Sequence, residues 1–240
     1  MKLIKILVLS LFFFIQAKAD TIYNLIKIPN LEIYEINTSN KLRYLYAKQP
    51  FTIGIDNNIN CYNSEKKRLD KKYKIIQKNL NKYDQVFLKK INLKYIVLCE
   101  KLSISGILIA GIPDHKMKTL IIDIKFDSKY FERVLHHEVF HIINDGYKDY
   151  FDEKEWSKLN DDNFKYTACS TCSNKTGLYV YKEFNGFFTE YSKSTASEDM
   201  AEVFSHLMIG SDLSNNDPIL DKKIQFIKNN LLKIDKNFVL

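Results

Sequence analysis

His137, Glu138 and His141 stand in the order H-E-x-x-H, within His137-Glu138-Val139-Phe140-His141. On a helix, residues four apart share a face, so both imidazoles can reach one metal ion. The glutamate between them is rotated off the metal, close enough to take a proton from a water held there. Two neutral nitrogens, one further ligand and an open position make a catalytic zinc site, whose chemistry is hydrolysis, above all of peptide bonds. Chance gives a pattern with three fixed positions in roughly one such chain in a hundred. The competing explanation is a core helix that happens to carry two satisfied histidines.

The third ligand must come from elsewhere in the chain. A metzincin places glycine three residues after the second histidine and histidine three further on, where this chain has Asn144 and Tyr147. The best candidate is Ser197–Met208, whose periodicity predicts a helix burying Met200, Val203, Phe204 and Leu207. Glu198 and Glu202 lie one turn apart on one face, which suits a ligand and a partner for the free N–H of a metal-bound histidine. Thr195-Ala196-Ser197-Glu198 also fits a capping box, and Glu202 alone reads equally as a solvated surface acid. His206 falls on roughly the same face, as a further polar partner or an ordinary surface histidine.

These two motifs resemble the gluzincins, the thermolysin-like peptidases, in which H-E-x-x-H is followed by a helix with E-x-x-x-[DE]. A closer resemblance is to the catalytic domain of anthrax lethal factor and the secreted bacterial Pro-Pro endopeptidases. Those proteins carry a tyrosine seven residues before the ligand glutamate, as Tyr191 precedes Glu198, and their helix reads approximately E-x-x-A-E-x-F, matched by Glu198 to Phe204. Gly186 to Ser192 is similar to bacterial zinc-binding metallopeptidases of this type. The resemblance covers roughly Val134 to Met208. It implies one Zn2+ per chain held by His137, His141 and Glu198, with Glu138 as general base. It further implies Tyr191 as a hydrogen-bond donor to the oxyanion, worth roughly 3–4 kcal/mol, and Glu202 orienting His137. A long gap holding a C-x-x-C loop separates this chain from those relatives, and Asp20 to about Leu102 matches no motif, so no substrate preference carries over.

The elements around the motifs read as an α+β fold: a small mixed or antiparallel sheet, the H-E-x-x-H helix and a mostly helical C-terminal part. Short strands are expected within Ile22–Ile36 and Lys41–Ile55, a long helical stretch from Ser64 to about Ile91 broken near Asn81, and strands at Tyr95–Cys99, Ile104–Ile112 and Thr119–Lys125. The metal-site helix is expected at about Ser128–Asn144, with Ser128 or Asp127 capping its start and Gly146 ending it. A shorter helix follows near Glu153–Leu159, then a polar loop from Asn160 to Gly177, and helices at Thr195–Ile209 and Pro218–Ile234. Ile104 to Gly111 is either a sheet edge beside the cleft, able to pair with an extended peptide, or an interior strand.

Lys2 and Lys5, the apolar run Ile6–Ile15 and Ala17-Lys18-Ala19 form a secretory signal peptide, too short to span a membrane. About 220 residues remain, one catalytic domain from Asp20 or two small lobes split near 146–195. The mature chain is expected in the bacterial periplasm or the medium, without stable membrane insertion. Removing Lys2, Lys5 and Lys18 takes the formal charge from +7 to 7 − 3 = +4. The basic excess is almost all lysine, with Arg43, Arg68 and Arg133 the three arginines, so it reads as a solvated surface and not as a nucleic-acid site. Cys61, Cys99, Cys169 and Cys172 are an even set in an exported chain, with three possible pairings. A local Cys169–Cys172 bridge leaves Cys61 with Cys99, and a lone C-x-x-C is not a zinc ribbon. The expected activity is a zinc endopeptidase acting on protein or peptide. The alternatives are a non-catalytic zinc-binding or adhesion module, against which the intact Glu138 argues, and an amidase of cell-wall peptides.

Overall fold

The computed structural model describes residues 28–172, 175–211 and 217–240; the leader expected at 1–19 and the start of Ile22–Ile36 lie outside the described residues. In chain order the strands and helices are β1 (Leu31–Glu35), β2 (Arg43–Ala47), β3 (Phe51–Ile53), β4 (Ile59–Tyr62), α1 (Lys66–Leu80), α2 (Gln85–Lys90), β5 (Tyr95–Ile104), β6 (Ile107–Leu108), β7 (Gly111–Asp114), β8 (Thr119–Asp123), α3 (Phe131–Gly146), α4 (Glu153–Ser157), α5 (Ala196–Ile209) and α6 (Pro218–Ile234). This is an α+β chain with an open mixed sheet in its first half and helices in its second. Among the described residues no helix is long and apolar enough to cross a membrane.

β5 organises the sheet. Its first half lies between β2 and β8, parallel to both, and β1 and β7 extend this part antiparallel on either side. Its second half pairs antiparallel with β4 and with β6, and β3 follows β4. The strand turns at Lys101, whose φ is 53°. The Asp123 carboxylate accepts there from the N–H groups of Lys101 at 3.0 Å and Leu102 at 3.3 Å, so the bend leaves no buried donor unmet.

Strands covered on both faces need apolar side chains at successive positions, and Ile96–Cys99 of β5 and Leu120–Ile122 of β8 have them. Ile96, Leu98, Leu120 and Ile122 face the main core, shared with Leu69, Ile76, Leu135, Val139 and Phe204 of the helices. Val97, Cys99 and Ile121 face a smaller core with Phe51, Ile59 and Leu102. Cys61 and Cys99 are bonded inside that smaller core, with Cα atoms 5.9 Å apart.

Several boundaries differ from the sequence expectation, each for a local reason. Ile104–Ile112 is not one strand, because Ser105 and Gly106 take positive φ (50° and 82°) and turn β5 back on itself as the β5–β6 hairpin. The stretch from Ser64 to Ile91 does break at Asn81 as expected, into two helices, the second restarted by the Asp84 side chain accepting from Phe87 N. β4 was not expected: Ile59 and Cys61 are its inward residues, and the asparagines around them hide the alternation. α3 begins at Phe131 with no side-chain cap, since the Asp127 carboxylate is held by Lys129 N in the turn before it. Gly146 is the last residue of α3 and does not act as a left-handed cap. Its missing side chain makes room for His115, whose Nε2 would lie 2.7 Å from a Cβ there.

Between α4 and α5 the chain runs as an irregular strap, with one isolated bridge (Val180 to Thr189) and a 3-10 turn at Tyr191–Lys193. Its anchor is a buried polar cluster. Lys223 of α6 and Asp199 of α5 are both 0% exposed at the side chain and 2.6 Å apart. Lys223 also donates to the Gly186 carbonyl of the strap at 2.7 Å. Trp156 Nε1 and the Tyr166 hydroxyl donate to the same Asp199 oxygen, at 2.9 and 2.6 Å. Cys169 and Cys172 are bonded to each other in this strap.

Candidate metal centre

α3 packs against α5, with β7 along its other side. The contact is built from Phe140 and Phe204, whose rings lie 5.4 Å apart, with Val139, Met200 and Ala201 fully buried around them. This packing turns the face bearing His137 and His141 toward the face bearing Glu198 and Glu202. Thr195 starts α5 by accepting from Glu198 N at 3.2 Å, and Gly210 closes it with φ 71°. The Thr195 half of the capping box therefore forms, but the Glu198 carboxylate turns away to the histidines.

Three lone-pair atoms converge. Glu198 Oε2 lies 2.9 Å from His137 Nε2 and 3.3 Å from His141 Nε2, and the two Nε2 atoms are 3.1 Å apart. A tetrahedral ion with bonds of about 2.0–2.1 Å spaces its ligand atoms by about 3.3 Å. The two nitrogens and one carboxylate oxygen thus fit zinc in kind and in spacing, and among the described residues no other such group of histidine, cysteine and carboxylate side chains occurs. Glu202 Oε1 sits 3.0 Å from His137 Nδ1, which fixes that nitrogen as the protonated one and turns Nε2 inward.

The electrostatics follow from burial among opposite charges. Burial works against a charged His137, but Glu198 and Glu202 outweigh it and raise its pKa to about 10. Burial likewise opposes charge on Glu198, yet His141 and His137 hold it well below the usual carboxylate range. Glu202 is brought down to about 2, burial being overcome by the His137 hydrogen bond and the nearby Arg133 charge. With protein groups alone, a proton occupies the place that suits a cation, so proton and metal compete for the same lone pairs.

Glu138 lies on the floor of the cleft against Gly111, the first residue of β7. Burial pushes its carboxyl up, partly offset by the two imidazoles. The cleft holds about 560 Å³, with Leu108, Ile109, Phe126, Val134 and Leu178 among its apolar walls and Tyr191 at its edge. The Tyr191 ring lies 5.9 Å from that of His137, centroid to centroid. Burial, with the charges of Glu198 and Glu138, pushes its phenol upward, so it keeps its proton at neutral pH.

Residues 85–231, which include both motifs, match the sequence pattern of a family described as "putative zinc-binding metallo-peptidase". The chain belongs to this metallo-peptidase family. The match does not single out the lethal factor and Pro-Pro endopeptidase group. No curated protein matches at a significant level. Among solved structures, a "putative zinc-binding metallo-peptidase" from Bacteroides caccae is similar at 20% identity over 69% of each chain, with a TM-score of 0.43.

In this metallo-peptidase the sequence motifs leave out several groups that hold the centre. Ser197 Oγ is 3.4 Å from His141 Nδ1 and accepts from Asn144 Nδ2 at 3.3 Å. Its signal was its place beside Glu198. Thr189 donates to Glu202 Oε2 at 2.8 Å, a pairing across thirteen residues that no local pattern reveals. Arg133 stands four residues before His137, one turn back on the stripe of the two histidines. His136, which neither motif uses, has a structural role. It is fully buried between the Tyr83 hydroxyl (2.6 Å from Nδ1) and Asn79 Oδ1 (3.0 Å from Nε2), and burial lowers its pKa to about 3. The neutral ring thus ties α3 to α1.

Proposed function

We propose that this chain is an exported zinc-dependent endopeptidase, with His137, His141 and Glu198 holding the metal. The observation that supports it is the convergence of two Nε2 atoms and one carboxylate oxygen within 3.3 Å at the floor of an open cleft. When bound there, zinc supplies a Lewis acid that polarises the scissile carbonyl and lowers the pKa of a water to about 7. Glu138 takes the proton of the attacking water and passes it to the leaving amine, a task suited to a carboxyl whose pKa burial has raised. The Tyr191 hydroxyl donates a hydrogen bond to the oxygen that gains charge. Glu202, through His137 Nδ1, keeps that imidazole in one tautomer and one orientation.

An extended substrate fits the outer edge of β7, which pairs with β8 on one side only among the described residues. A peptide added there runs past Glu138 and takes backbone hydrogen bonds from the strand. The apolar walls of the cleft then receive its side chains.

The test is zinc content and cleavage of an unbiased peptide library by the mature chain, run beside Glu138→Ala. One zinc per chain, with cleavage by the parent alone, is the expected result. Zinc without cleavage by either leaves a binding module or a wall amidase, and absence of zinc removes the reading altogether.

A further inference from the structure

Glu202 carries its charge where there is almost no water, its side chain being 2% exposed. Its partners through hydrogen bonds are His137 Nδ1 and the Thr189 hydroxyl. Neither brings positive charge once His137 is neutral, as a metal-binding imidazole must be. The cation beside it is Arg133, 5% exposed at the side chain, with Nε 3.8 Å from Glu202 Oε1. That is beyond hydrogen-bond length, and Nε has no other hydrogen-bond partner. The guanidinium therefore acts on Glu202 through charge.

The rest of the fork is committed elsewhere. Nη2 donates to the Leu178 carbonyl of the strap at 2.8 Å. Nη1 lies 3.3 Å from His206 Nε2, which accepts, while His206 Nδ1 faces Ser211 Oγ at 2.8 Å and the ring stacks on Phe188 at 4.1 Å. Next to Leu178, the Gly177 carbonyl accepts from Tyr191 N at 3.1 Å. One planar side chain thus touches the support of His137 and the support of Tyr191.

We propose that Arg133 is a positioning residue that joins the two halves of the site, neutralising Glu202 on one side and pinning the strap that carries Tyr191 on the other. This rests on the zinc-peptidase reading above. Only a planar fork serves both ends; a lysine in its place brings one point charge.

The test uses the full chain and two readouts: zinc affinity by competition with a chromophoric chelator, and kcat and KM on a peptide that the parent cleaves. Arg133→Met is expected to weaken zinc binding about tenfold or more, the scale for removing outer support of a metal-bound histidine, and to lower kcat with KM little changed. Arg133→Lys keeps a cation beside Glu202 and so holds zinc within about threefold of the parent, but its kcat stays low because the Leu178 carbonyl loses its clamp. Parental zinc affinity and kcat in Arg133→Met overturn the proposal. So does parental kcat in Arg133→Lys, or zinc binding there as weak as in the methionine variant, and this second variant decides the matter where the first does not fold. A parent that binds no zinc sinks the underlying reading and this proposal with it, whereas an active zinc-bound parent matched by its variants sinks the proposal alone.

Discussion

Gly111 has no side chain, and Glu138 fills the space that one would take: a Cβ there would lie 2.7 Å from Glu138 Cγ. Gly111→Ala is therefore expected to displace Glu138, the proposed general base, and cut peptide cleavage at least tenfold while zinc content stays at one per chain, a comparison made by metal analysis beside turnover. Tyr191→Phe removes one donor and should lower kcat by roughly 10²–10³ at unchanged zinc content; parental turnover would take Tyr191 out of the mechanism. Glu198→Ala should weaken zinc binding far more than Glu202→Ala, for which about 10–100-fold is expected, and the reverse order would exchange their roles. At this scale the sequence was informative where spacing alone sets a face. Glu198 could be placed opposite the histidines because both helices have clear apolar stripes. Arg133 could not, because an arginine on a helix ordinarily reads as solvated, and its burial depends on Leu178 and His206, which are distant in sequence.

The metal-site helix is held as an element by contacts that involve no metal. His136 bridges Tyr83 and Asn79, both fully or nearly fully buried. His136→Leu keeps the apolar bulk but strands a buried hydroxyl and a buried amide oxygen, at about 1–3 kcal/mol for each group left unpaired. Urea unfolding of the metal-free chain should show that loss, and an unchanged midpoint would mean that water or repacking satisfies both groups. The helices were legible because a 3.6-residue stripe survives the polar residues between its turns, which is why the α6 boundaries match the expected Pro218–Ile234. The strands were less so. β4 offers only Ile59 and Cys61 as inward residues, and the hairpin break at Ser105 and Gly106 is one step inside an unbroken apolar run. Nothing local announces that β2 and β8 both lie parallel to β5, because that register is set by the helices packed across them.

For the whole molecule, acid is the natural stress. His136 and His206 are buried and neutral, with burial the first cause in both, at about 3 and about 4. Their folded values lie below the unfolded one near 6.5, so their contribution is complete above that pH and is lost as pH falls toward the folded values. His137 has the opposite sign in the metal-free chain: raised to about 10, its contribution is complete below about 6.5 and fades as pH climbs toward 10. The slope of stability between pH 7 and pH 4 should consequently be shallower in His206→Gln than in the parent, and equal slopes would show that His206 is not neutral in the fold. At this scale the sequence disclosed the fold class and little of the strap, whose path is set by the Asp199 and Lys223 pair more than by any local propensity. That pair has a consequence for the order in which the molecule is completed. Asp199 is buried beside Glu198, and its cation comes from α6, which follows it in the chain. A chain emerging from the ribosome N-terminus first has both histidines and Glu198 before it has Lys223. Until α6 docks, Asp199 is a buried charge without its counter-ion, costly by several kcal/mol, and the Gly186 carbonyl has no clamp. The strap, and Tyr191 with it, is seated only once α6 has been made and has docked, so a hydrolase built this way stays silent until a helix with no residue at the metal is in place.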